Sequence, residues 1–148
     1  MTRTLVRDLA SQTETTATIS GWVHVRRDHG GLIFIDLRDH TGIIQLVIQP
    51  ENAEAFALAE QVRNEYVISA TGLVREREES LKNPHIPTGS IEVVVENIRL
   101  LNRSDVTPIP VHDDAPQANE ELRLKYRYLD LRRPKMQTML QKRADAYK

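Results

Sequence analysis

Cysteine is absent from the chain, which excludes a disulfide scaffold, thiol catalysis and any Cys-ligated zinc site, and fits a reducing compartment. Long apolar runs are absent too: nothing approaches the roughly 18 residues that suggest a membrane span. The opening stretch MTRTLVRDLASQ has no apolar core behind its charges, so it does not read as a secretory signal. The expected location is cytoplasmic, with no membrane partner. A surplus of either charge is also missing, with 20 Lys+Arg against 21 Asp+Glu. Bulk charge therefore does not draw the chain to nucleic acid, and any such binding needs a local patch. No GxxxxGKS/T phosphate loop occurs. The histidines, at positions 24, 29, 40, 85 and 112, lack metal-ligand spacing, so no metal site is expected. Aromatic residues are scarce, at 5%, which makes any aromatic at an outward strand position conspicuous.

What is present suits one domain with an appendage: 148 residues, 40% apolar and 28% charged. The charge is unevenly placed. Residues 1–102 carry 10 Lys+Arg against 14 Asp+Glu, and residues 103–148 carry 10 against 7. The composition changes at the same point, where Pro108, Pro110 and Pro116 break the stretch from Ser104 to Asn119. Proline fixes φ and removes a donor, so residues 104–119 read as an extended linker. The expected organisation is a domain over 1–103, the linker over 104–119, and the start of a second domain over 120–148.

The first domain reads as strands. Ala17 to Arg27 is rich in β-formers. Leu32 to Arg38 alternates, with Ile33, Ile35 and Leu37 on one side and Phe34, Asp36 and Arg38 on the other. Ile43 to Gln49 repeats the pattern with Ile44, Leu46 and Ile48 inward and Gln45 outward, and Asp39-His40-Thr41-Gly42 joins the two runs as a hairpin. Between Asn52 and Asn64 the period changes: Ala55, Leu58, Ala59 and Val62 form a helical stripe behind an Asn52 cap. Val67 to Arg77 and Ile91 to Leu101 supply two more strands. Five strands with one helix between the third and fourth predict a mainly β protein, an OB-fold Greek-key barrel followed by a linker and a C-terminal helical segment. Pattern alone leaves other small barrels open.

Phe34 is the most informative residue. It faces away from the predicted barrel core, and Gln45 lies outward on the next strand. A flat ring beside an amide with both donors and acceptors is suited to stack on, and read, an unpaired base. Arg26, Arg27, Arg38, Arg75, Arg77 and Lys82 surround the pair and would hold phosphates. The blander readings are that Phe34 packs under the helix or the appended segment, and that the arginines form a solvated, salt-bridged surface with Asp28, Asp36, Glu76, Glu78 and Glu79.

Residues 21–48, GWVHVRRDHGGLIFIDLRDHTGIIQLVI, resemble the anticodon-binding domain of bacterial aspartyl-tRNA synthetases. LRLKYRYLDLRRPKMQ, residues 122–137, resembles that family's lead into its catalytic domain, and NEYVISATGLVRER and TGSIEV extend the likeness over nearly the whole chain. The resemblance implies that Phe34 stacks on the central anticodon base, that Gln45 reads it, and that Arg27, Arg75 and Arg77 contact the RNA. It makes Glu92 an acceptor for anticodon bases and places Asn83 in the second binding loop. It also makes His29 and Ser80 the positions that discriminate between tRNA(Asp) and tRNA(Asn), with His29 pointing to acceptance of both.

The same resemblance implies a parent enzyme that joins aspartate to tRNA with ATP and Mg, as a homodimer. No usable adenylate-forming motif occurs here, so residues 1–148 are expected to be an inactive N-terminal fragment with no catalytic residue and no cofactor of its own. Arg63-Asn64-Glu65 mimics one such motif in letters but falls at the helix terminus. Pro134 suits the first turn of a last helix, in which Met136, Met139, Leu140 and Tyr147 begin an apolar stripe. The alternative is a free-standing OB-fold protein that binds single-stranded nucleic acid.

Overall fold

The computed structural model describes residues 2–147, which divide into a unit ending at Asp105 and a second beginning at Val106. The first holds five strands, β1 (Thr16–His29), β2 (Leu32–Arg38), β3 (Ile43–Ile48), β4 (Val67–Glu76) and β5 (Ile91–Asn102), with helix α1 (Ala53–Gln61) between β3 and β4. The strands close into a barrel in the order β1-β2-β3-β5-β4, all antiparallel except the β3–β5 pair. This is the OB-fold read from the sequence. Alternation works as expected: Ile33, Ile35, Leu37, Ile44, Leu46 and Ile48 are buried and fill the barrel with Ile68, Val74 and Val93. Each such side chain contributes roughly 1.5–3 kcal/mol by leaving water.

α1 is capped by Asn52, whose side chain accepts from Ala55 N at 3.2 Å, and it ends at Gln61 because Val62 is extended, three residues short of the predicted Asn64. Arg63 then donates to the carbonyls of Glu60 and Val62, both at 2.9 Å. Glu65 follows with φ of 66° and a buried carboxylate. The Arg63–Glu65 letters therefore terminate a helix.

One element has no counterpart in the sequence reading. Val6–Gln12 forms a short 3-10 helix that inserts Val6 and Leu9, 1% and 0% exposed, into the barrel core. Asp39, at the start of the β2–β3 hairpin, holds it in place. Its Oδ2 accepts from Val6 N at 3.0 Å, while Oδ1 accepts from Thr41 N, Thr41 Oγ1 and Gly42 N. Burial pushes the Asp39 carboxyl up, but the hydrogen bonds from Thr41, Val6 and Gly42 outweigh it and hold the group below its ordinary value. A carboxylate with a lowered folded pKa gives stability that is complete above its unfolded value, about 3.9, and is lost as pH falls below it. Melting temperature is therefore expected to fall below about pH 4 in the native chain. Asp39→Asn should flatten this acid limb, because an amide turned to serve Thr41 and Gly42 presents a donor to Val6 N, and should cost about 1–3 kcal/mol at neutral pH.

The second unit contains α2 (Glu120–Lys125), α3 (Arg127–Asp130) and α4 (Pro134–Ala146). Its small core is Ile109, Val111 and Leu129, with Ala118 and Tyr126 against it. Two of the three core residues come from the proline-interrupted stretch read as a linker. That stretch bends at Pro108–Ile109 and Val111–His112 and turns at Asp113–Asp114, and it supplies the apolar surface on which α3 packs. Asp130, fully buried, is the polar centre of the unit: Arg123, Arg127 and Arg133 all donate to it, at 3.0–3.3 Å. Burial raises its carboxyl, and the Arg123 and Arg133 guanidiniums more than reverse this, leaving it below the ordinary range. Asp130 is thus a second source of acid sensitivity, which the Asp39→Asn comparison leaves in place. Pro134 begins α4 as expected, but within the predicted stripe only Met136 is buried, while Met139, Leu140 and Tyr147 are exposed. No helix among the described residues is long and apolar enough to cross a membrane.

Candidate nucleic-acid interface

Strand pairing assembles the site. Arg27 of β1 faces Phe34 of β2, which faces Val47 of β3. Asp36 faces Gln45 across the same β2–β3 ladder, and Arg75 of β4 faces Glu92 of β5. The parallel β3–β5 pairing, Leu46 to Val93, brings Gln45 beside Glu92. Because alternate side chains share a face, Arg27, Phe34, Gln45, Val47, Arg75 and Glu92 line one open groove of about 670 Å³, bounded by His29 of the β1–β2 hairpin and by Leu81 and Asn83 of the β4–β5 loop. Gly30 and Gly31, at φ of 60° and 78°, turn that hairpin back, a conformation that glycine adopts without a steric penalty.

The groove's polar groups are already joined. Arg27 Nη2 donates to Asp36 Oδ1 at 2.9 Å and reaches Gln45 Oε1 at 3.4 Å. Gln45 Nε2 donates to Glu92 Oε2 at 3.2 Å, and Arg75 Nε donates to Glu92 Oε1 at 2.8 Å. A charge on each side of the amide thus fixes which way Gln45 presents its oxygen and nitrogen. Phe34 is half-buried, and its ring lines the groove with Leu32, Val47 and the exposed Leu81. Arg27 and Arg75 keep 50% and 44% of their side chains exposed and retain free guanidinium N–H groups. The arrangement offers an apolar face for a flat ring, a fixed amide at its edge, and two accessible cations beside it.

Of the residues singled out from the sequence, Arg27, His29, Phe34, Gln45, Arg75, Arg77, Asn83 and Glu92 all line this groove. Arg77 differs from its neighbours in being 5% exposed, turned inward to donate to Ile91 O at 2.9 Å. Asn83 has its Oδ1 engaged by His85 N at 3.0 Å, which shapes the loop. Ser80 is exposed on a short 3-10 turn, Glu79–Leu81, and is not among the lining residues.

The expected ring of cations is narrower than its letters. Arg38 is a correction. It points outward from the barrel core as its alternation requires, but it is 5% exposed and forms a buried ion pair with Glu65, 2.9 Å apart, beside His24 and over the Trp22 ring. Arg26 pairs with Asp28 and lines a separate cavity behind the hairpin, and Lys82 pairs with Glu79. The sequence reading missed Leu32, Val47 and Leu81 as groove residues. Only Leu81 carried a signal, as a large apolar residue in an otherwise polar loop.

A closed five-strand barrel with an aromatic, an amide and arginines on one open face is the form of a single-stranded nucleic-acid reader, and the comparisons with known proteins agree. Residues 17–101 match the tRNA anticodon family, described as the OB-fold nucleic acid binding domain, and the chain belongs to it. Among its relatives is the aspartate–tRNA(Asp/Asn) ligase of Moorella thermoacetica, 59% identical over 123 residues, which cover 83% of this chain and 20% of that protein. The aspartate–tRNA ligase of Exiguobacterium sibiricum is 55% identical over 128 residues, covering 86% and 21%. The asparaginyl-tRNA synthetase of Pyrococcus horikoshii, solved with asparaginyl-adenylate, superposes with a TM-score of 0.79 at 27% identity over 95% of this chain and 31% of its own. The chain spans about a fifth of the length of the curated relatives it matches.

Proposed function

We propose that this chain is the anticodon-reading part of an aspartate–tRNA ligase, and that its partners are tRNA(Asp) and tRNA(Asn). The observation that carries the reading is the single groove in which Phe34, Gln45 and Glu92 lie between Arg27 and Arg75. An unpaired base stacks on Phe34, the Gln45 amide meets its edge, and the two exposed arginines hold the flanking phosphates. Phosphate contacts set affinity and position, while the amide sets sequence preference.

Acceptance of both tRNAs is supported by His29 and by the stated tRNA(Asp/Asn) range of the Moorella relative. The two anticodons differ only in their third nucleotide, C against U. His29 is exposed at the groove's rim. A neutral imidazole there offers one donor and one acceptor, so it can serve either pyrimidine edge, where an aliphatic side chain serves neither.

On this proposal, ATP and magnesium use, aspartate transfer, dimer assembly and a cytoplasmic location belong to the parent enzyme. The described residues do not fit a nucleotide at the Arg63–Glu65 letters, because Arg63 caps a helix and Glu65 is paired with Arg38. Binding of the chain to anticodon stem-loops tests the reading. Comparable affinity for the C-ending and U-ending loops is expected, with about 10-fold or greater loss for a loop altered at the central base. His29→Leu should separate the two cognate loops. Equal binding of unrelated single strands would instead favour a general single-strand binder. A strong native preference for the C-ending loop, unchanged in His29→Leu, would defeat the dual-acceptance part.

A further inference from the structure

Glu92 is faced by two guanidiniums that do different things. Its carboxylate is 8% exposed, and a charge so covered must stay paired. Arg75, the more exposed guanidinium, makes the short contacts: Nε at 2.8 Å and Nη2 at 2.7 Å, both to Oε1. Arg77 lies two residues further on the same face, with Nε 3.9 Å from Oε2, beyond hydrogen-bond range. Its backbone N–H is tied to Ser90 O at 2.8 Å and its Nε to Ile91 O at 2.9 Å, so the fork is anchored on the chain that carries Glu92. Its Nη2 is buried and has no hydrogen-bond partner. An unsatisfied buried donor is unusual and calls for a reason. That nitrogen is buried, and the carboxylate within ion-pair range of the Arg77 guanidinium is that of Glu92.

We infer that Arg77 is a positioning residue: when Arg75 leaves Glu92 for an RNA phosphate, Arg77 takes over the carboxylate and keeps the Gln45 amide aimed. The inference rests on the proposed function, since RNA is what calls Arg75 away. With its Nε kept on Ile91 O, the Arg77 fork need only turn so that Nη2, its free donor, meets Glu92, whose Oε2 already lies 3.9 Å from Nε. The free donor is then satisfied, and the buried carboxylate never loses its counter-charge. Because Gln45 Nε2 is held by Glu92 Oε2, the oxygen nearest Arg77, holding that carboxylate still also holds the reading amide.

Stem-loop binding across a salt series separates the two arginines. Arg75→Gln is expected to weaken matched and centrally mismatched loops alike and to reduce the salt slope by about one, while the ratio between the loops stays. Arg77→Gln is expected to leave the slope and to collapse that ratio about 5-fold or more. Arg77→Lys should not restore it, because an ammonium has no fork to hold Ile91 O and Glu92 together. A slope reduced by one in Arg77→Gln with the ratio kept would make Arg77 a phosphate contact and overturn the inference, as would loss of the ratio in Arg75→Gln. Melting without RNA gives an independent arm. Arg77→Gln should lower the melting temperature further in an Arg75→Gln background than alone, and Glu92→Gln should suppress the difference. Simple additivity would overturn the takeover regardless of RNA. Failure of the native chain to bind any stem-loop would instead count against the proposed function, with the melting comparison still deciding the Arg77–Glu92 pairing.

Discussion

Phe34→Ala is expected to weaken binding of a cognate anticodon stem-loop by roughly 1–3 kcal/mol, or about 5- to 150-fold, with little change in melting temperature. The ring sits on the groove face of β2 between Arg27 and Val47, whereas its neighbours Ile33 and Ile35 fill the barrel. Truncating it removes a stacking surface without opening a cavity in the core. The loss should be similar for any base at the stacked position, because every base presents a π-face. Titration of native and variant chains against matched and mismatched loops checks both statements. A variant that melts many degrees lower would show Phe34 to be structural support, and unchanged binding would remove stacking from the account.

Arg38→Met should have the largest effect on stability. Arg38 and Glu65 are 5% and 9% exposed at the side chain, so deleting the guanidinium strands a carboxylate that water barely reaches. Breaking such a pair costs about 3–5 kcal/mol, which for a domain of this size lowers the melting temperature by more than about 10 °C. Glu65 stands at positive φ, a strained conformation for a side chain with a Cβ, and the ion pair helps hold it there. Combining Arg38→Met with Glu65→Gln should recover much of the loss, since the uncompensated charge is gone. RNA binding by whatever fraction remains folded should be near native, because Arg38 is outside the groove. A loss of affinity in the folded fraction would return Arg38 to the recognition face.

The contrast between Phe34 and Arg38 shows what period-two alternation can reveal. Both are correctly assigned to the outer side of β2, because strand geometry alone decides that. What covers the outer side is decided by residues far along the chain: Glu65 turns back from the end of α1 onto Arg38, while Phe34 stays half-buried and open to the groove. The same limit explains the N-terminal 3-10 helix. Val6 and Leu9 are too few and too short-spaced to register as a helix or a strand, and their burial depends on an Asp39 that the chain reaches 33 residues later. The proline-broken stretch was legible as non-helical backbone, but neither its bends and turn nor its part in the core was, since Ile109 and Val111 report burial only once Leu129 is placed against them. The groove was more legible than the packing around it, because five strands in OB order bring a fixed set of outward positions together.

The β3–β5 pairing has a consequence for when the chain can act. Gln45 and Glu92 are separated by 47 residues, and the last strand must slot between β3 and β4 before they touch. Loop closure of that length precedes the contacts that reward it, so barrel closure is a late, slow event in folding. A nascent chain still emerging from the ribosome holds Phe34 and Arg27 long before it holds Glu92. At that stage it carries a surplus of acidic residues and has no fixed amide with which to choose among sequences. On the proposed function, selectivity therefore arrives together with the finished barrel.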